Sequence, residues 1–175
     1  MPDYEVIAED TLSSAVATID LTSIPGTYSH LELLFTSRCD KAAITTSSST
    51  NTVNDLTSNI WGNQRAYSIN GGTIAYQDTP INGSNEFKSI RVINNNLQAN
   101  QFGVTRIIMP NYASTDVDTK VLLYQTQTAT TNTGTNFQGQ GSGFVTLSSA
   151  ITSFKIVADG GDFMAGTSYY LAGWI

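Results

Sequence analysis

Apolar and polar residues alternate with a period of two along much of this chain. The clearest case is the segment 30–38, in which Leu31, Leu33 and Phe35 alternate with a mixed face of His30, Glu32, Leu34 and Thr36. A period of two sends successive side chains to opposite faces of a β-strand, whereas a helix needs a period of 3.6. The one helical signal, at 148–151, is no longer than a single turn. The pattern therefore predicts strands with one face in a core.

The predicted strands are separated by turn signals at short, regular intervals. Two of these signals, Asn70-Gly71 and Asn82-Gly83, predict hairpins because an Asn-Gly pair tolerates positive φ angles. The predicted strands are Tyr4–Glu9, Ala15–Leu21, His30–Arg38, Thr73–Asp78, Phe87–Ile93, Phe102–Pro110, Lys120–Thr128, Phe144–Leu147, Ser153–Ala158 and Ser168–Trp174. This spacing predicts an all-β fold, a two-sheet antiparallel β-sandwich that is jelly-roll-like, with the first and last strands paired.

Two polar stretches lack the strand pattern. Residues 45–63 begin with a Ser/Thr run, and residues 130–143 are rich in Thr, Asn and Gly. Both are predicted to be long surface loops, which in compact domains often carry function. No break in composition divides the chain, so residues 1–175 are predicted to form a single domain.

Composition supports the β assignment and excludes several classes of protein. The 175 residues include 24 Thr and 18 Ser, and only 13% of them are charged. A net charge of −6 with scattered basic residues disfavours nucleic acid as a partner. The chain has no apolar run of about 20 residues, so no membrane span is predicted. Residues 1–5 lack the features of a secretory signal, so synthesis in the cytoplasm is expected.

The residues best suited to catalysis or metal binding are few. His30 is the only histidine and Cys39 the only cysteine, which excludes an intrachain disulfide and the usual zinc sites. His30 is predicted to pack and hydrogen-bond at a sheet edge, and Cys39 to be buried. The acidic segments 116–118 and 159–162 favour solvated turns over cation sites. The sequence therefore predicts no catalytic residue, metal or cofactor.

Aromatic residues provide the remaining candidate site. Exposed aromatic rings form stacking platforms for sugars, but in β-sandwiches they are also core or interface residues. A pair of carboxylates suited to glycoside hydrolysis also stays possible, because their separation in space is not visible in the sequence. The candidates for carbohydrate or partner contacts are Trp61, Tyr67, Tyr76, Tyr112 and Trp174.

Motifs near the two ends of the chain resemble those of a family of small tailed-phage virion proteins. The first is Ile24-Pro25-Gly26-Thr27-Tyr28-Ser29-His30-Leu31, and the last is Ser168-Tyr169-Tyr170-Leu171-Ala172-Gly173-Trp174-Ile175. Between them, Ala150-Ile151-Thr152-Ser153-Phe154-Lys155-Ile156 is similar to the strand that precedes the family's closing turn. The chain departs from the family at Ala172 and Trp174. The resemblance implies a structural protein of the virion, made in the cytoplasm of a bacterial host.

Members of such a family serve as head decoration, baseplate or tail-fibre proteins. Because the first predicted strand begins at Tyr4, with no shaft before it, the expected role is a non-enzymatic decoration, or cement, protein. Its expected partners are the major capsid protein or other virion proteins, and it is expected to act as a homotrimer whose polar loops contact the capsid. The alternative is a tail-fibre or baseplate appendage that binds a host receptor or carbohydrate. A glycan-degrading enzyme is a third possibility.

Overall fold

The structure is a computed structural model that describes residues 3–42, 46–56, 58, 60–70, 73–84, 91–94, 99–116, 119–128 and 136–175, with only the backbone for 46–48, 61–70, 73–84 and 91. All regular elements in these ranges are β-strands, and none of them contains a helix that could cross a membrane. The strands are β1 (Tyr4–Thr11), β2 (Thr18–Leu21), β3 (His30–Ser37), β4 (Thr46–Val53), β5 (Ile60–Asn70), β6 (Thr73–Ser84), β7 (Arg91–Ile93), β8 (Gly103–Pro110), β9 (Thr119–Thr128), β10 (Asn136–Thr146), β11 (Phe154–Ala158) and β12 (Ser168–Trp174).

The strands form two antiparallel sheets with jelly-roll topology. The large sheet has the order β1-β12-β3-β8-β9-β10-β5-β6, and the small sheet has the order β2-β11-β4-β7. The quartet β1-β12-β3-β8 faces the quartet β2-β11-β4-β7, and the chain crosses between them in the order of an eight-stranded jelly roll. The predicted fold class is confirmed. The predicted pairing of the first and last strands is also confirmed, because β1 pairs with β12.

Four further strands widen the large sheet beyond the jelly roll. The hairpin β5–β6 is inserted between β4 and β7, and the pair β9–β10 is inserted between β8 and β11. Since β10 pairs with both β9 and β5, the two insertions form one continuous extension that starts at β8. The large sheet consequently has eight strands against four in the small sheet.

One hydrophobic core lies between the sheets. Leu31 and Leu33 from the large sheet and Phe154 from the small sheet are fully buried in it. Phe163, which precedes β12, meets Phe35 edge-on at a centroid distance of 5.4 Å. Full burial of each such side chain contributes about 1.5–3 kcal/mol. The alternation in β3 therefore sends its apolar residues into the core.

The polar stretch 45–63 is not one long loop, as predicted, but contains β4 and the start of β5. β4 pairs with β7 over 46–48 and with β11 over 49–53, so its whole length has a partner strand despite its polar sequence. Ser49 and Asn51 are buried within it, and the Ser49 Oγ donates to Asn51 Oδ1 at 3.1 Å. The prediction was wrong because β4 buries hydroxyl and amide groups that hydrogen-bond to each other. Such a strand shows no alternation of apolar and polar residues in its sequence.

The second predicted loop, 130–143, is also wrong over its described part, since β10 begins at Asn136. Residues 129–135 lie outside the described residues. Gly139 has a packing role in β10, because a methyl group there would lie 2.9 Å from the Phe137 ring and 3.0 Å from Thr126 Cγ2. Glycine permits this close approach, although it is usually a sign of a turn or a loop.

Only one of the two predicted Asn-Gly hairpins joins two strands. Asn70 pairs with Thr73 across the link 71–72, which itself lies outside the described residues. Asn82 and Gly83 instead lie inside β6, where the register shifts by one residue relative to β5. The second prediction is therefore wrong, because the same dipeptide chemistry also suits a β-bulge.

The two motifs at the ends of the chain meet in space. The ring of Tyr28 lies against the backbone of Gly173 in β12. The backbone N–H and the Oγ of Ser29 both donate to the carbonyl oxygen of Trp174, at 2.7 Å and 2.8 Å. The Tyr28 N–H donates to the hydroxyl of Tyr112 at 3.4 Å. The segment before β3 is therefore fastened to the last strand.

Cys39 is expected to be almost unreactive in the folded protein. It is 1% exposed, as predicted, and its Sγ donates to Asn94 Oδ1 at 2.9 Å. Burial raises the pKa of its thiol, so the reactive thiolate is scarce at pH 8. We expect labelling by iodoacetamide, followed by mass spectrometry, to be about 100-fold slower in buffer than in urea. Equal rates would contradict this burial.

The same pKa shift predicts how alkali affects folding. Because the pKa of the Cys39 thiol is raised in the folded state, the unfolded chain loses this proton first as the pH rises. Its contribution to the unfolding free energy is therefore complete below the unfolded pKa and declines above it. In a Cys39→Ala variant, this part of the alkaline decline should be absent from denaturant titrations across the pH range.

Candidate interaction face of the large sheet

The outer face of the large sheet, which is the face turned away from the small sheet, is broad and continuous. Directly opposed residues in antiparallel strands lie side by side on the same face, so their positions form rows. One row crosses the eight strands at Thr11, Ser168, Thr36, Val104, Gln127, Gln138, Tyr67 and Tyr76. The next row crosses them at Glu9, Tyr170, Leu34, Arg106, Gln125, Gln140, Arg65 and Asp78.

Large hydrophobic side chains are exposed mainly on this face. Seven of them lie there, each 38–59% exposed, and within the described ranges Ile175 is the one further example. Large clusters of exposed apolar side chains are uncommon on soluble proteins and mark interaction sites. The seven are Tyr4, Val6, Leu34, Val104, Val121, Leu123 and Phe144.

Three aromatic rings pack together at one corner of the outer face. Trp174 lies between Tyr4, at a centroid distance of 5.8 Å, and His30, at 5.1 Å with an interplanar angle of 19°. Val6, two residues from Tyr4 on β1, adds exposed apolar surface on the same face, at 43% exposure. We call these four residues the aromatic corner. Aromatic clusters of this kind are typical of the centres of protein interfaces.

His30 packs and hydrogen-bonds, as predicted, but not at a sheet edge. It begins β3, an interior strand between β12 and β8. Its Nδ1 lies 3.0 Å from the Ser29 Oγ, and its ring is stacked on Trp174. The described residues contain no group of three or more His, Cys, Asp or Glu side chains placed to hold a metal ion.

The predicted turn at 159–162 is present. Gly160 has a φ of 79° there, and the backbone N–H of Asp162 donates to Asp40 Oδ1 at 2.7 Å. Lys41 Nζ donates to the Asp159 carbonyl at 3.1 Å. These contacts are those of a turn braced by neighbouring polar groups. Residues 117–118, in the other predicted acidic turn, lie outside the described residues.

A shallow trough crosses β8, β9 and β10 on the outer face. It consists of two cavities, of about 480 and 230 Å³, that share Arg106, Gln125 and Gln140. These three residues are directly opposite one another on the three strands. The larger cavity is also lined by Ile108, Leu123, Tyr124, Gly141 and Ser142, and the smaller by Val104, Thr126, Gln127, Gln138 and Gly139.

The trough has a mixed apolar and polar lining, and its described side chains are nearly neutral. Arg106 Nε donates to Glu32 Oε1 at 2.6 Å, and this hydrogen bond raises the pKa of Arg106. Arg106 therefore stays positively charged, and the Glu32 carboxylate balances its charge. The ion pair is partly exposed and adds little to stability, about 0.2–1 kcal/mol. Each glutamine side chain offers both a hydrogen-bond acceptor and two N–H donors. The arrangement therefore suits a ligand with many hydroxyl groups better than an anion.

The structure brings some of the predicted aromatic residues together and excludes one. Trp61 is opposite Phe144 in the register, and Tyr67 is opposite both Gln138 and Tyr76, so the positions of Trp61, Tyr67 and Tyr76 share the outer face. Trp174 belongs to the aromatic corner at the other end.

Tyr112 does not reach this face, and the prediction that it contacts a ligand is wrong. Its side chain is 0% exposed, and its hydroxyl donates to the Pro25 carbonyl. A fully buried ring has no face to offer a sugar. Burial also raises the pKa of its hydroxyl, which therefore stays protonated and can donate.

The polar residues of the trough were not among the predicted site residues. The alternation in 120–128 already places Gln125 and Gln127 on one face with Val121 and Leu123. The contribution of Gln138 and Gln140 could not be recognised, because the glycines of β10 indicated a loop. An alternating Gln-Gly pattern is the signal that identifies this strand.

No known protein-family model matches this chain, and no curated protein matches it either.

Proposed function

We propose that this chain is a non-enzymatic structural protein of a tailed-phage virion, and that it decorates the outside of the capsid. The observation that supports this most directly is the concentration of exposed hydrophobic side chains on one face of a jelly roll, with the aromatic corner. Surfaces of this composition bind other proteins. The partner in this proposal is the major capsid protein, and the decorating unit is a homotrimer.

The aromatic corner supplies the main contact with the capsid in this proposal. The sequence predicts capsid contact by polar loops at 45–63 and 130–143, but most of their described residues form strands, so the contact is assigned to the aromatic corner instead. Each bound copy stabilises the shell by mass action, because it binds the assembled lattice and not the free subunits. Binding therefore raises the temperature at which the shell opens.

The alternative is a tail-fibre or baseplate appendage that binds a host receptor. The trough on β8, β9 and β10 favours it, because a receptor-binding protein needs a site for a ligand outside the virion. Labelling of intact particles with gold-conjugated antibody separates the two roles. A decoration protein is found on heads, and an appendage is found on tails.

A double variant, Tyr4→Ser with Val6→Ser, is expected to bind capsids at least tenfold more weakly than the native protein. Tyr4 and Val6 are 59% and 43% exposed, so their burial at an interface removes apolar surface from water. Losing about 1.4 kcal/mol of that burial is enough for a tenfold change. The measurement is cosedimentation with expanded capsids that lack the protein, together with the melting temperature of the decorated shells.

Thr18→Ala is the control. Thr18 is exposed on β2 of the small sheet, away from the outer face of the large sheet. It should bind capsids as the native protein does. If the native protein fails to bind expanded capsids, or the shells become no more resistant to heat, the decoration role is wrong.

A further inference from the structure

We propose that the trough on β8, β9 and β10 binds a neutral carbohydrate chain. This inference goes beyond capsid attachment and uses different residues, because none of the aromatic corner lines the trough. A decoration protein with both sites would hold the virion close to a glycan-coated surface. An appendage with the same trough would do so from the tail.

The lining of the trough matches both surfaces of a sugar ring. A pyranose has hydroxyl groups around its edge and apolar C–H groups on its faces. Gln125, Gln140 and Ser142 offer hydrogen-bond donors and acceptors, and Leu123 and Val104 are exposed apolar neighbours, at 45% and 50%. Binding sites for small polar ligands commonly combine apolar walls with a few such polar groups.

The spacing of the polar groups suits a chain of sugars. Arg106, Gln125 and Gln140 occupy directly opposed positions on three neighbouring strands. Adjacent strands are about 4.8 Å apart, which is about the length of one sugar ring. A glycan that crosses the strands therefore meets a new polar group at each successive unit. The cavities on both sides of this row give it about 480 and 230 Å³ of space.

The charge of the trough favours neutral over anionic ligands. Among the described side chains that line it, the one cation, Arg106, is paired with Glu32 at 2.6 Å. The chain as a whole has a net charge of −6, which repels polyanions such as nucleic acids and polyuronates.

The position of the trough within the sheet also disfavours an extended peptide. Peptides that bind sheets usually add a strand to a free edge and use main-chain hydrogen bonds. β9 lies between β8 and β10, so its backbone groups are already used in ladders on both sides. Only side-chain amide, guanidinium and hydroxyl groups are left for a ligand, and these are the groups that recognise sugar hydroxyls.

The test is binding of the native protein to an array of immobilised oligosaccharides. The neutral probes are gluco-, manno- and galacto-oligomers, and the anionic probes are uronic-acid oligomers and heparin fragments. Calorimetry with the best neutral probe then compares the native protein with the double variant Gln125→Ala/Gln140→Ala. We expect at least one neutral series to bind the native protein. The double variant should bind that series at least about tenfold more weakly. Thr146→Ala, on the same strand and outside both cavities, should bind as the native protein does.

The outcomes separate this proposal from the decoration role. No binding to any neutral probe at millimolar concentration, or equal binding by the double variant, would overturn the carbohydrate proposal. Preference for the anionic probes would overturn it as well. If the double variant instead loses capsid binding and no neutral probe binds, the trough serves a protein partner and the carbohydrate proposal is wrong. Circular dichroism melting curves of each variant confirm that the fold is retained.

Discussion

Replacing Gly173 with alanine is expected to lower the unfolding free energy by about 3 kcal/mol. Gly173 lies in β12, opposite Leu31 of β3, and is buried. A methyl group at this position would lie 2.6 Å from Cδ1 of the Tyr28 ring, and it would overlap the ring's Cγ as well. Carbon atoms in contact are about 3.5–4.0 Å apart, so either the ring or the strand must move.

Neither partner in this contact moves easily. The Tyr28 hydroxyl donates to Glu5 Oε2 at 2.9 Å, which holds the outer end of the ring. Its backbone N–H is held by the Tyr112 hydroxyl, and β12 is paired on both sides with β1 and β3. The overlap involves Cγ, the ring atom bonded to Cβ, so a rotation of the ring about the Cβ–Cγ bond cannot relieve it. The strain is therefore expected to appear as lost stability.

A double-mutant cycle tests this explanation. Gly173→Ala, Tyr28→Ala and the combination are compared with the native protein by urea titration and by thermal melting. Gly173→Ala alone should lower the melting temperature by roughly 6–12 °C. Once the ring is gone, the same substitution should cost much less, so the two effects should not add. Strictly additive effects, or a Gly173→Ala variant as stable as the native protein, would show that the ring contact is not the cause.

Asn54→Ala is expected to cost more, about 4–5 kcal/mol. The Asn54 Oδ1 accepts hydrogen bonds from the backbone N–H groups of Thr152 and Ser153, at 2.8 Å and 3.1 Å. Its Nδ2 donates to the Ala150 carbonyl at 2.7 Å. This one side chain therefore fixes the approach to β11 against the end of β4. Each lost hydrogen bond costs about 1 kcal/mol.

The backbone at this position adds to the cost. Asn54 has a φ of 49°, a left-handed conformation that asparagine tolerates and alanine does not. Alanine there adds about 1–2 kcal/mol of strain. Asn54→Gly separates the two effects, because glycine adopts a positive φ freely but makes none of the side-chain hydrogen bonds.

Denaturant titrations of the two variants provide the measurement. Asn54→Gly should lose about 3 kcal/mol, and Asn54→Ala should lose about 1–2 kcal/mol more. Hydrogen exchange at Thr152 and Ser153 should be faster in both variants, because each removes the acceptor. Unchanged exchange at these two amides would mean that Asn54 does not hold this segment.

The strands with clear alternation were predictable from the sequence. β3, β8 and β9 alternate buried and exposed residues over their whole length, and their predicted bounds agree with the structure within one residue. The pairing of β1 with β12 also followed from the end motifs. β3 carries the clearest signal, because Leu31, Leu33 and Phe35 make its buried face apolar at successive second positions.

The strands that the sequence missed are those in which the partner strand decides the conformation. β4 is a Ser/Thr-rich segment, and β10 is interrupted by glycines, so each by itself resembles a loop. Both nevertheless have partner strands along their whole length, and the backbone hydrogen bonds that hold them depend on segments far away in the chain. The sequence of a strand does not specify which distant strand it pairs with. The extension of the large sheet by β5, β6, β9 and β10 was therefore not predicted.

The candidate site also has some features that were predictable from the sequence and others that were not. The sequence by itself determined the all-β class, the jelly-roll-like sandwich, the pairing of the first and last strands and the buried place of Cys39. Only the tertiary structure decided that Tyr112 is buried and that Arg106, Gln125 and Gln140 meet in one trough. The physical reason is that periodicity assigns a residue to a face of its own strand, whereas the neighbours on that face are set by strand order and register, which depend on pairing between distant segments.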